Sequence, residues 1–201
     1  MGIVERKERE KSEMKQFILD AAMNLFIEEG FENVSIRRIA DKIEYSPATI
    51  YLYFKDKDEM LYTLHLAGFE LLFKKQKAIQ SENDALLRLK KHAEAYVSLG
   101  IENPEYYQLM FIMPGPIAKM KMADEWSCGF RSYDLLKENI KDAMDKNLIP
   151  LGDIEIAAFA FWSFVHGIVS LLIRHLTFFP TESRLPMSHS AIDYFMKATK
   201  K

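Results

Sequence analysis

Apolar side chains recur along the chain with the spacing of amphipathic helices. The first clear stripe occupies i, i+3, i+4, i+7 and i+8 and consists of Ile18, Ala21, Ala22, Leu25 and Phe26. Gly30 follows as a left-handed end to this helix. The sequence contains neither an alternating strand pattern nor a hairpin turn signal. The pattern therefore predicts an all-α fold of about nine helices.

Two short helices are predicted after Gly30, each with its own start signal. Ser35 fits the N-cap of the first, in which Ile36, Ile39, Ala40 and Ile43 face inward. Ser46 and Pro47 supply an N-cap and a proline at the first helical position of the second. This second helix can run only to about Phe54, which we expect in the core because it shares a face with Ile50.

Helical spacing continues to the end of the chain. Asp56 and Glu59 form a capping-box pattern that opens a fourth helix towards Gln80. Later helical segments are predicted over residues 83–101, 104–111, 123–146, 153–176 and 186–198, with a break at 114–116. The chain has only 8 Gly and 7 Pro in 201 residues, which favours few, long elements.

Composition limits the compartment and the relation to membranes. The single Cys128 excludes an intrachain disulfide and favours the reducing cytoplasm. Residues 1–20 are too densely charged for a secretory signal. Residues 156–173 carry no charge over a length that only just reaches a membrane span. Ser163 and His166 interrupt that segment, and a helix buried in a bundle or subunit interface has the same composition. We therefore expect no membrane association.

The two short helices have the arrangement of a helix-turn-helix, whose second helix can enter the major groove of DNA. Its first turn offers hydroxyl groups on Ser46 and Thr49, and compact side chains that permit thymine methyl contacts on Pro47 and Ala48. Phosphate-directed groups follow on Tyr51, Tyr53, Lys55 and Lys57. Short capped helices also occur in helical bundles that never bind DNA, so periodicity alone leaves that alternative open.

Residues 31–40, FENVSIRRIA, and residues 46–61, SPATIYLYFKDKDEML, closely resemble the DNA-binding domain of TetR-family transcription regulators. The resemblance covers roughly residues 10–60. It implies a DNA-binding domain at 1–57 and a larger helical domain for ligand binding and dimerisation at 58–201. It also implies DNA contacts from Ser35, Arg37, Ser46, Pro47, Ala48, Thr49, Tyr51, Tyr53, Lys55 and Lys57. Tyr53 departs from the histidine that the family often has there, and Pro47 from a polar or small residue.

The charge of the chain is informative only locally. Overall, 27 Lys and Arg stand against 29 Asp and Glu, which by itself argues against nucleic acid. Residues 33–57 nevertheless contain five basic and three acidic side chains. Because phosphate attraction depends on nearby charge, this segment is where we expect DNA to bind.

The second half of the chain is rich in aromatic and methionine side chains that suit an adaptable apolar pocket. The candidate ligand-binding residues are His92, Tyr96, Tyr107, Met110, Trp126, Phe130, Tyr133, Trp162 and His166. Ordinary core packing is the alternative for each of them. Residues 162–167, WSFVHG, resemble a Trp-x-x-x-His-Gly (WHG-type) motif in the C-terminal domains of one group of TetR-family regulators.

Together these features predict a homodimeric, sequence-specific regulator that binds a palindromic DNA operator. It would be a repressor released by a small apolar or aromatic effector, dimerised through its last two helices, with no metal or cofactor. In one alternative, the large domain binds a protein partner or only dimerises. A helical enzyme is a remote alternative, since the sequence has no glycine-rich phosphate loop, histidine metal pair or serine nucleophile elbow.

Overall fold

The computed structural model describes residues 2–113, 127–174 and 179–201, and every regular element in those ranges is helical. The helices of the first half are α1 (Ile3–Glu29), α2 (Ile36–Lys42), α3 (Pro47–Tyr51), α4 (Lys57–Ala78), α5 (Ala85–Glu102) and α6 (Pro104–Tyr107). Those of the second half are α7 (Ser127–Asp145), α8 (Ile154–Ile173) and α9 (Thr181–Thr199). Over the described residues, the prediction of an all-α fold with about nine helices is confirmed.

The chain divides into two compact units, and α4 begins in one and ends in the other. The first unit comprises Met1–Gly68 and Glu105–Ala123, and the second comprises Phe69–Pro104 and Asp124–Lys201. A π-helical turn, Gln108–Ile112, continues α6 and belongs to the first unit. The sequence-based division at residue 57 stays a prediction.

The core of the first unit forms around the apolar stripe of α1. The predicted positions Ile18, Ala22, Leu25 and Phe26 are fully buried, and Ala21 is almost so. They pack in one cluster with Ile39 and Ala40 of α2, Ile50 of α3, Phe54, and Met60, Leu61 and Leu64 of α4. Each large side chain buried in this way contributes about 1.5–3 kcal/mol of transfer free energy. Burial along α1, α2 and α4 thus supports the very short α3.

The predicted helix caps are present. Ser35 accepts a hydrogen bond from the Arg38 backbone N–H at 3.1 Å, and Ser46 accepts one from Thr49 at 3.2 Å. At the start of α4, Asp56 accepts from the Glu59 N–H at 2.8 Å. The Glu59 carboxylate reaches back to the Lys55 N–H at 2.6 Å, one residue earlier than in the usual capping box.

Some helix ends differ from the sequence-based prediction. Gly30 has the predicted positive φ, 82°, but its ψ of 143° is extended rather than left-handed helical. Helix α3 ends at Tyr51 rather than near Phe54. Helix α9 begins at Thr181 instead of Pro186, so the proline lies inside the helix. That position is tolerated because the carbonyl deprived of its partner belongs to Glu182, which is exposed to water.

The second unit is a bundle of α5, α7, α8 and α9. Its core includes Leu89 and Val97 of α5, Leu136 and Ile140 of α7, Val165 and Val169 of α8, and Ile192 of α9. By length and composition α8 is apolar enough to cross a membrane, and only 28% of its apolar window is buried. Large apolar side chains remain exposed on α8 and α9, namely Ile156, Phe159, Leu171 and Tyr194.

Within the first unit, α4 approaches the π-helical turn closely at Gly68. A Cβ atom at this position would lie 2.5 Å from the Met110 Sδ, 3.0 Å from its Cγ and 3.1 Å from the Tyr106 Cδ1. Met110 is itself only 2% exposed, so it has little room to move away. Hydrogen is therefore the only side chain that fits here without repacking.

We predict that Gly68→Ala destabilises the protein by about 1–3 kcal/mol through overpacking. Alanine is otherwise more favourable than glycine in a helix by about 1 kcal/mol. A loss of stability must therefore come from the close contact with Met110. Urea denaturation measures it. Gly152→Ala is the control, because a Cβ there meets nothing within 4 Å. Equal stability of Gly68→Ala and the parent would show that the close contact carries no constraint.

Candidate functional site

The first turn of α3 presents small and hydroxyl-bearing side chains. Ser46 and Ala48 are exposed, and Pro47 and Thr49 are partly exposed. The Ser46 Oγ and Thr49 Oγ1 lie 3.0 Å apart, which leaves each hydroxyl further capacity to donate or accept. Backbone at this turn can thus approach DNA closely, with two hydroxyl groups beside it.

The rest of α3 alternates between buried anchors and exposed side chains. Ile50 and Phe54 are 0% and 1% exposed and fix the helix against the core, as predicted for Phe54. Tyr51 is 57% exposed and Leu52 is 76% exposed. Tyr53 is partly buried against the core of the first unit. The phenol of Tyr51 is therefore the more accessible of the two predicted tyrosine contacts.

The two arginines of α2 have different surroundings. Arg38 donates from Nε and Nη2 to the Glu29 carboxylate, at 3.0 and 2.6 Å to Oε1. This pair raises the pKa of Arg38 and lowers the pKa of Glu29, mainly through the hydrogen bond itself. Arg37 is exposed and forms no ion pair with any described residue. Arg37, the predicted contact, is thus the one whose guanidinium is available to a ligand.

The two lysines at the start of α4 are also unlike each other. Lys55 is exposed. The Lys57 ammonium donates to the carbonyls of Phe31 at 2.9 Å, Val34 at 3.2 Å and Glu32 at 3.4 Å, and lies 4.3 Å from the Phe31 ring centroid. Lys57 thus ties α4 to the segment between α1 and α2. A direct DNA contact from Lys57 stays a prediction.

The predicted ligand-binding residues do not all belong to one unit. Tyr107 and Met110 are buried in the first unit. His92, Tyr96, Phe130, Tyr133, Trp162 and His166 belong to the second, where Phe130 is 53% exposed. Trp126 lies outside the described residues.

Four of these residues meet in what we call the Tyr96 cluster, formed by Tyr96, Tyr133, Trp162 and His166. The Trp162 Nε1–H donates to the Tyr96 hydroxyl oxygen at 3.2 Å. That hydroxyl lies 3.0 Å from the His166 Nδ1, within hydrogen-bond distance. The Tyr133 ring packs edge-on to Trp162 at a centroid distance of 6.2 Å. Burial lowers the pKa of His166, and Arg174 lowers it further.

His92 lies in a separate, buried polar chain. Its Nε2 is 2.9 Å from the Gln76 amide and its Nδ1 is 3.2 Å from the Asn139 Nδ2. The Asn139 Oδ1 accepts from the Arg88 Nε at 2.9 Å, which fixes that amide, and Arg88 also pairs with Asp142. His92 therefore accepts at Nδ1 and carries its proton on Nε2; since the nearest Gln76 atom is its Nε2, a hydrogen bond from this proton requires the Gln76 amide to be turned so that its oxygen, otherwise without a partner, accepts from the ring. Burial lowers the pKa of His92 to about 3.

Sequence reasoning missed Gln76 and Asn139 as partners of His92, Arg88 as a partner of Asn139, and Phe31 as a partner of Lys57. These partners are separated by 16 to 51 residues along the chain. Local spacing contains no signal for such pairs. His92 and Tyr96, four residues apart and both candidate ligand-binding residues, form hydrogen bonds to different helices.

Family comparisons match most of the chain in two parts. Residues 18–63 match the model of bacterial regulatory proteins of the tetR family, and residues 89–190 match a tetracyclin repressor-like C-terminal domain. The second match alone spans about half of the chain. The chain therefore belongs to the TetR family of helix-turn-helix transcription regulators. It is a DNA-binding regulator and not an enzyme.

Curated relatives match a short part of the sequence. An HTH-type transcriptional regulator of Staphylococcus aureus is 41% identical over 54 residues, which are 27% of this chain and 29% of the relative. The match thus spans less than a third of these relatives' length.

Solved structures share the fold over nearly the whole chain. PfmR of Thermus thermophilus, a TetR family transcriptional regulator, superposes with a TM-score of 0.73 at 20% identity, over 90% of this chain and 97% of that one. The regulator FadR of Bacillus subtilis, solved in complex with stearoyl-CoA, gives 0.73 at 18% identity, over 89% and 95%. At these identities the likeness shows a common fold.

We predict that acid destabilises the protein through His92. In the unfolded chain the imidazole titrates near pH 6.5, whereas in the folded protein its pKa is about 3. The unfolded state therefore binds the extra proton, and stability present above pH 6.5 is lost as the pH falls towards 3. At pH 5 the loss from this group is about 2 kcal/mol. Buried His65, with a pKa lowered to about 4, acts in the same direction.

Urea denaturation at pH 7 and pH 5 measures the loss in the parent and in His92→Gln. Glutamine can accept from Asn139 and donate to Gln76 without titrating, so this variant should lose about 2 kcal/mol less than the parent. His189→Gln removes a partly exposed imidazole and should behave as the parent. An unchanged pH dependence in His92→Gln would contradict the assignment.

Proposed function

We propose that the chain is a homodimeric transcriptional repressor that binds a palindromic operator and releases it when a small apolar effector binds in the second unit. The observation that carries the proposal is the accessible surface of α3. Its anchors Ile50 and Phe54 are buried while its first turn and Tyr51 remain exposed. Because bacterial regulators act where the genome lies, we also propose a cytoplasmic location.

In the proposed complex, α3 lies in the major groove. Pro47, Ala48 and Thr49 contact base edges, and the Ser46 hydroxyl lies at the same turn. Ser35, Arg37, Tyr51, Tyr53 and Lys55 contact phosphates on either side, with Lys57 as the least accessible of the predicted contacts. A two-fold dimer places two copies of α3 one turn of DNA apart, roughly 34–36 Å, which explains the palindromic operator.

The proposed dimer forms through α8 and α9. Ile156, Phe159 and Leu171 on α8 are 70%, 61% and 49% exposed, and Tyr194 on α9 is 76% exposed. Apolar side chains exposed in such number mark an interaction surface, and a second copy of the same two helices would cover them.

The proposed effector site centres on the Tyr96 cluster. Aromatic rings surround a short chain of hydrogen bonds there, as in pockets that bind an apolar ligand and orient its polar end. Stearoyl-CoA is bound by FadR of Bacillus subtilis, so a long-chain acyl-CoA is a rational probe. Helix α4 begins at the DNA-binding part and ends in the second unit, and effector binding would act on DNA through it. This coupling must be reciprocal.

We predict that Tyr51→Ala combined with Lys55→Ala lowers affinity for DNA by about 10- to 100-fold, since a phosphate contact and a charge are lost. The probe is a duplex selected by the parent from a randomised 30-base-pair library. Sedimentation should show the dimer mass unchanged. Lys146→Ala with Lys200→Ala, which removes charge from the other unit, should bind as the parent does.

An unchanged affinity in the Tyr51 and Lys55 variant would refute the assignment of α3 as the reading helix.

The proposed dimer interface is tested by Phe159→Asp, which places a charge on the exposed face of α8. That variant should sediment as a monomer and bind the selected duplex more weakly. A dimer in Phe159→Asp at the parent's stability would exclude α8 as the interface.

We predict that saturating stearoyl-CoA lowers the affinity of the parent for the selected duplex by at least about tenfold, whereas coenzyme A alone does not. Tyr96→Phe removes the hydroxyl between Trp162 and His166. It should raise the half-effective stearoyl-CoA concentration about fivefold, because one hydrogen bond contributes about 1 kcal/mol. Affinity for DNA without effector should not change.

Fluorescence anisotropy of the labelled duplex gives both quantities. A panel of acyl-CoAs, free fatty acids and aromatic acids extends the test to other apolar effectors. If none of them changes the affinity of the parent for DNA, the effector part of the proposal fails. The second unit would then serve a protein partner or dimerisation alone.

A further inference from the structure

The first three turns of α1 project beyond the core, and one side of them carries a row of lysines. Residues 4–13 are all exposed, and burial begins at Met14. Successive residues of an α-helix are rotated by about 100°, so Lys7, Lys11 and Lys15 lie on the same side of α1 as Ile18. Ile18, further along the helix, is fully buried. Where the core ends, lysines take the place of isoleucine and leucine on that side.

This side of α1 faces the end of the reading helix. Lys7, Lys11 and Met14 line a surface groove whose other wall is formed by Leu52 and Tyr53, directly after α3. One turn further on, the Lys15 ammonium lies 5.0 Å from the ring centroid of Phe54. The lysines therefore lie beside the residues that directly follow α3.

The two arginines of this segment are paired with acids, while Glu5 accepts from the Gly2 N–H, and neither Glu5 nor the exposed Glu8 lines the groove. Arg6 bonds to Glu10 at 2.8 Å, and Arg9 approaches Glu13 at 3.5 Å, both across one helical turn. Glu10 also lines the groove, but its carboxylate is engaged by Arg6. Neither Lys7 nor Lys11 forms an ion pair with any residue that the structure describes. The groove therefore has a positive character that the overall composition hides.

The helix-turn-helix itself has few positively charged side chains that are accessible to DNA phosphates. Arg38 is held by Glu29, and the Lys57 ammonium is held by three carbonyls. Arg37 and Lys55 remain accessible among the predicted contacts. Lys42 at the end of α2 is exposed as well. Because affinity for DNA depends mainly on neutralised phosphates, a reader with these three cations gains affinity from further charge nearby.

We propose that Lys7 and Lys11 form a second phosphate-binding surface, which contacts the DNA backbone flanking the bases read by α3. The inference rests on the proposed function, since it requires α3 to lie on DNA. The surface is continuous with α3 through Leu52 and Tyr53, and its charge is complementary to phosphate. Residues 7–11 precede the part of the chain that matches the DNA-binding family model, which begins at residue 18. Phosphate contacts of this kind add affinity without reading sequence.

The test compares Lys7→Ala/Lys11→Ala with Arg6→Ala/Arg9→Ala. Each double variant removes two positive charges from the same turns of α1, but from different sides, and alanine preserves the helix. The probe is the 30-base-pair duplex selected by the parent, titrated between 50 and 300 mM salt. A scrambled duplex measures selectivity, and circular dichroism with sedimentation checks helix content and dimer mass.

For Lys7→Ala/Lys11→Ala we expect the slope of log affinity against log salt to become shallower by about 1.8 per bound subunit. Affinity near 0.15 M salt should fall roughly 10- to 30-fold. The preference for the selected over the scrambled duplex should be retained. For Arg6→Ala/Arg9→Ala we expect the slope to change by much less than about 1. Shortening the duplex outside the selected bases should weaken the parent but not the lysine variant.

The outcomes separate the inference from the function on which it rests. If the parent shows no preference for any selected duplex, the proposed function fails. If the parent binds selectively and the lysine variant keeps its slope, the second phosphate surface does not exist. Equal losses in the two double variants would attribute the effect to net charge and also overturn the inference.

Discussion

A helix of five residues closes almost no hydrogen bonds of its own, and the first unit supplies what α3 lacks. Isolated helices shorter than about 12 residues are marginal in water, so α3 depends on its surroundings. Ser46 caps its start, and the buried Ile50 and Phe54 hold it on α1 and α2. Lys57 then fixes the beginning of α4 to the carbonyls that precede α2. Because these contacts fix the other sides of α3, they also determine which of its side chains are exposed.

The allocation of charge follows from the same requirement. Arg38 and Lys57 stabilise turns around α2 and α3, and their positive groups are occupied by Glu29 and by main-chain carbonyls. Arg37 and Lys55 stay accessible, and the lysines on the groove side of α1 do also. Net charge therefore says little about this protein. Affinity for a polyanion depends on the cations that folding leaves uncommitted.

Buried polar chains join the helices of the second unit, in addition to the N-caps that Asp84 and Asp153 supply to α5 and α8. One polar chain connects α7, α5 and α4 through Asp142, Arg88, Asn139, His92 and Gln76. The Tyr96 cluster connects α5 with α8. Buried hydrogen bonds are directional, so they specify one arrangement of these helices more narrowly than apolar packing does. Helix α4 contributes Gln76, near its C-terminal end, to the polar chain with His92. At its N-terminal end it contributes Lys57, whose ammonium binds carbonyls between α1 and α2.

Sequence alone determined the all-α class, the stripe of α1 and the caps at Ser35, Ser46 and Asp56, because these depend on residues within one or two helical turns. It also predicted α3 as the reading helix through its likeness to a family. Only the tertiary structure decided which of Arg37 and Arg38 is accessible, that Lys57 binds carbonyls more than twenty residues away, and that His92 and Tyr96 belong to separate clusters. Such pairings join residues that are distant in the chain, and a local pattern of polar and apolar positions contains no record of them.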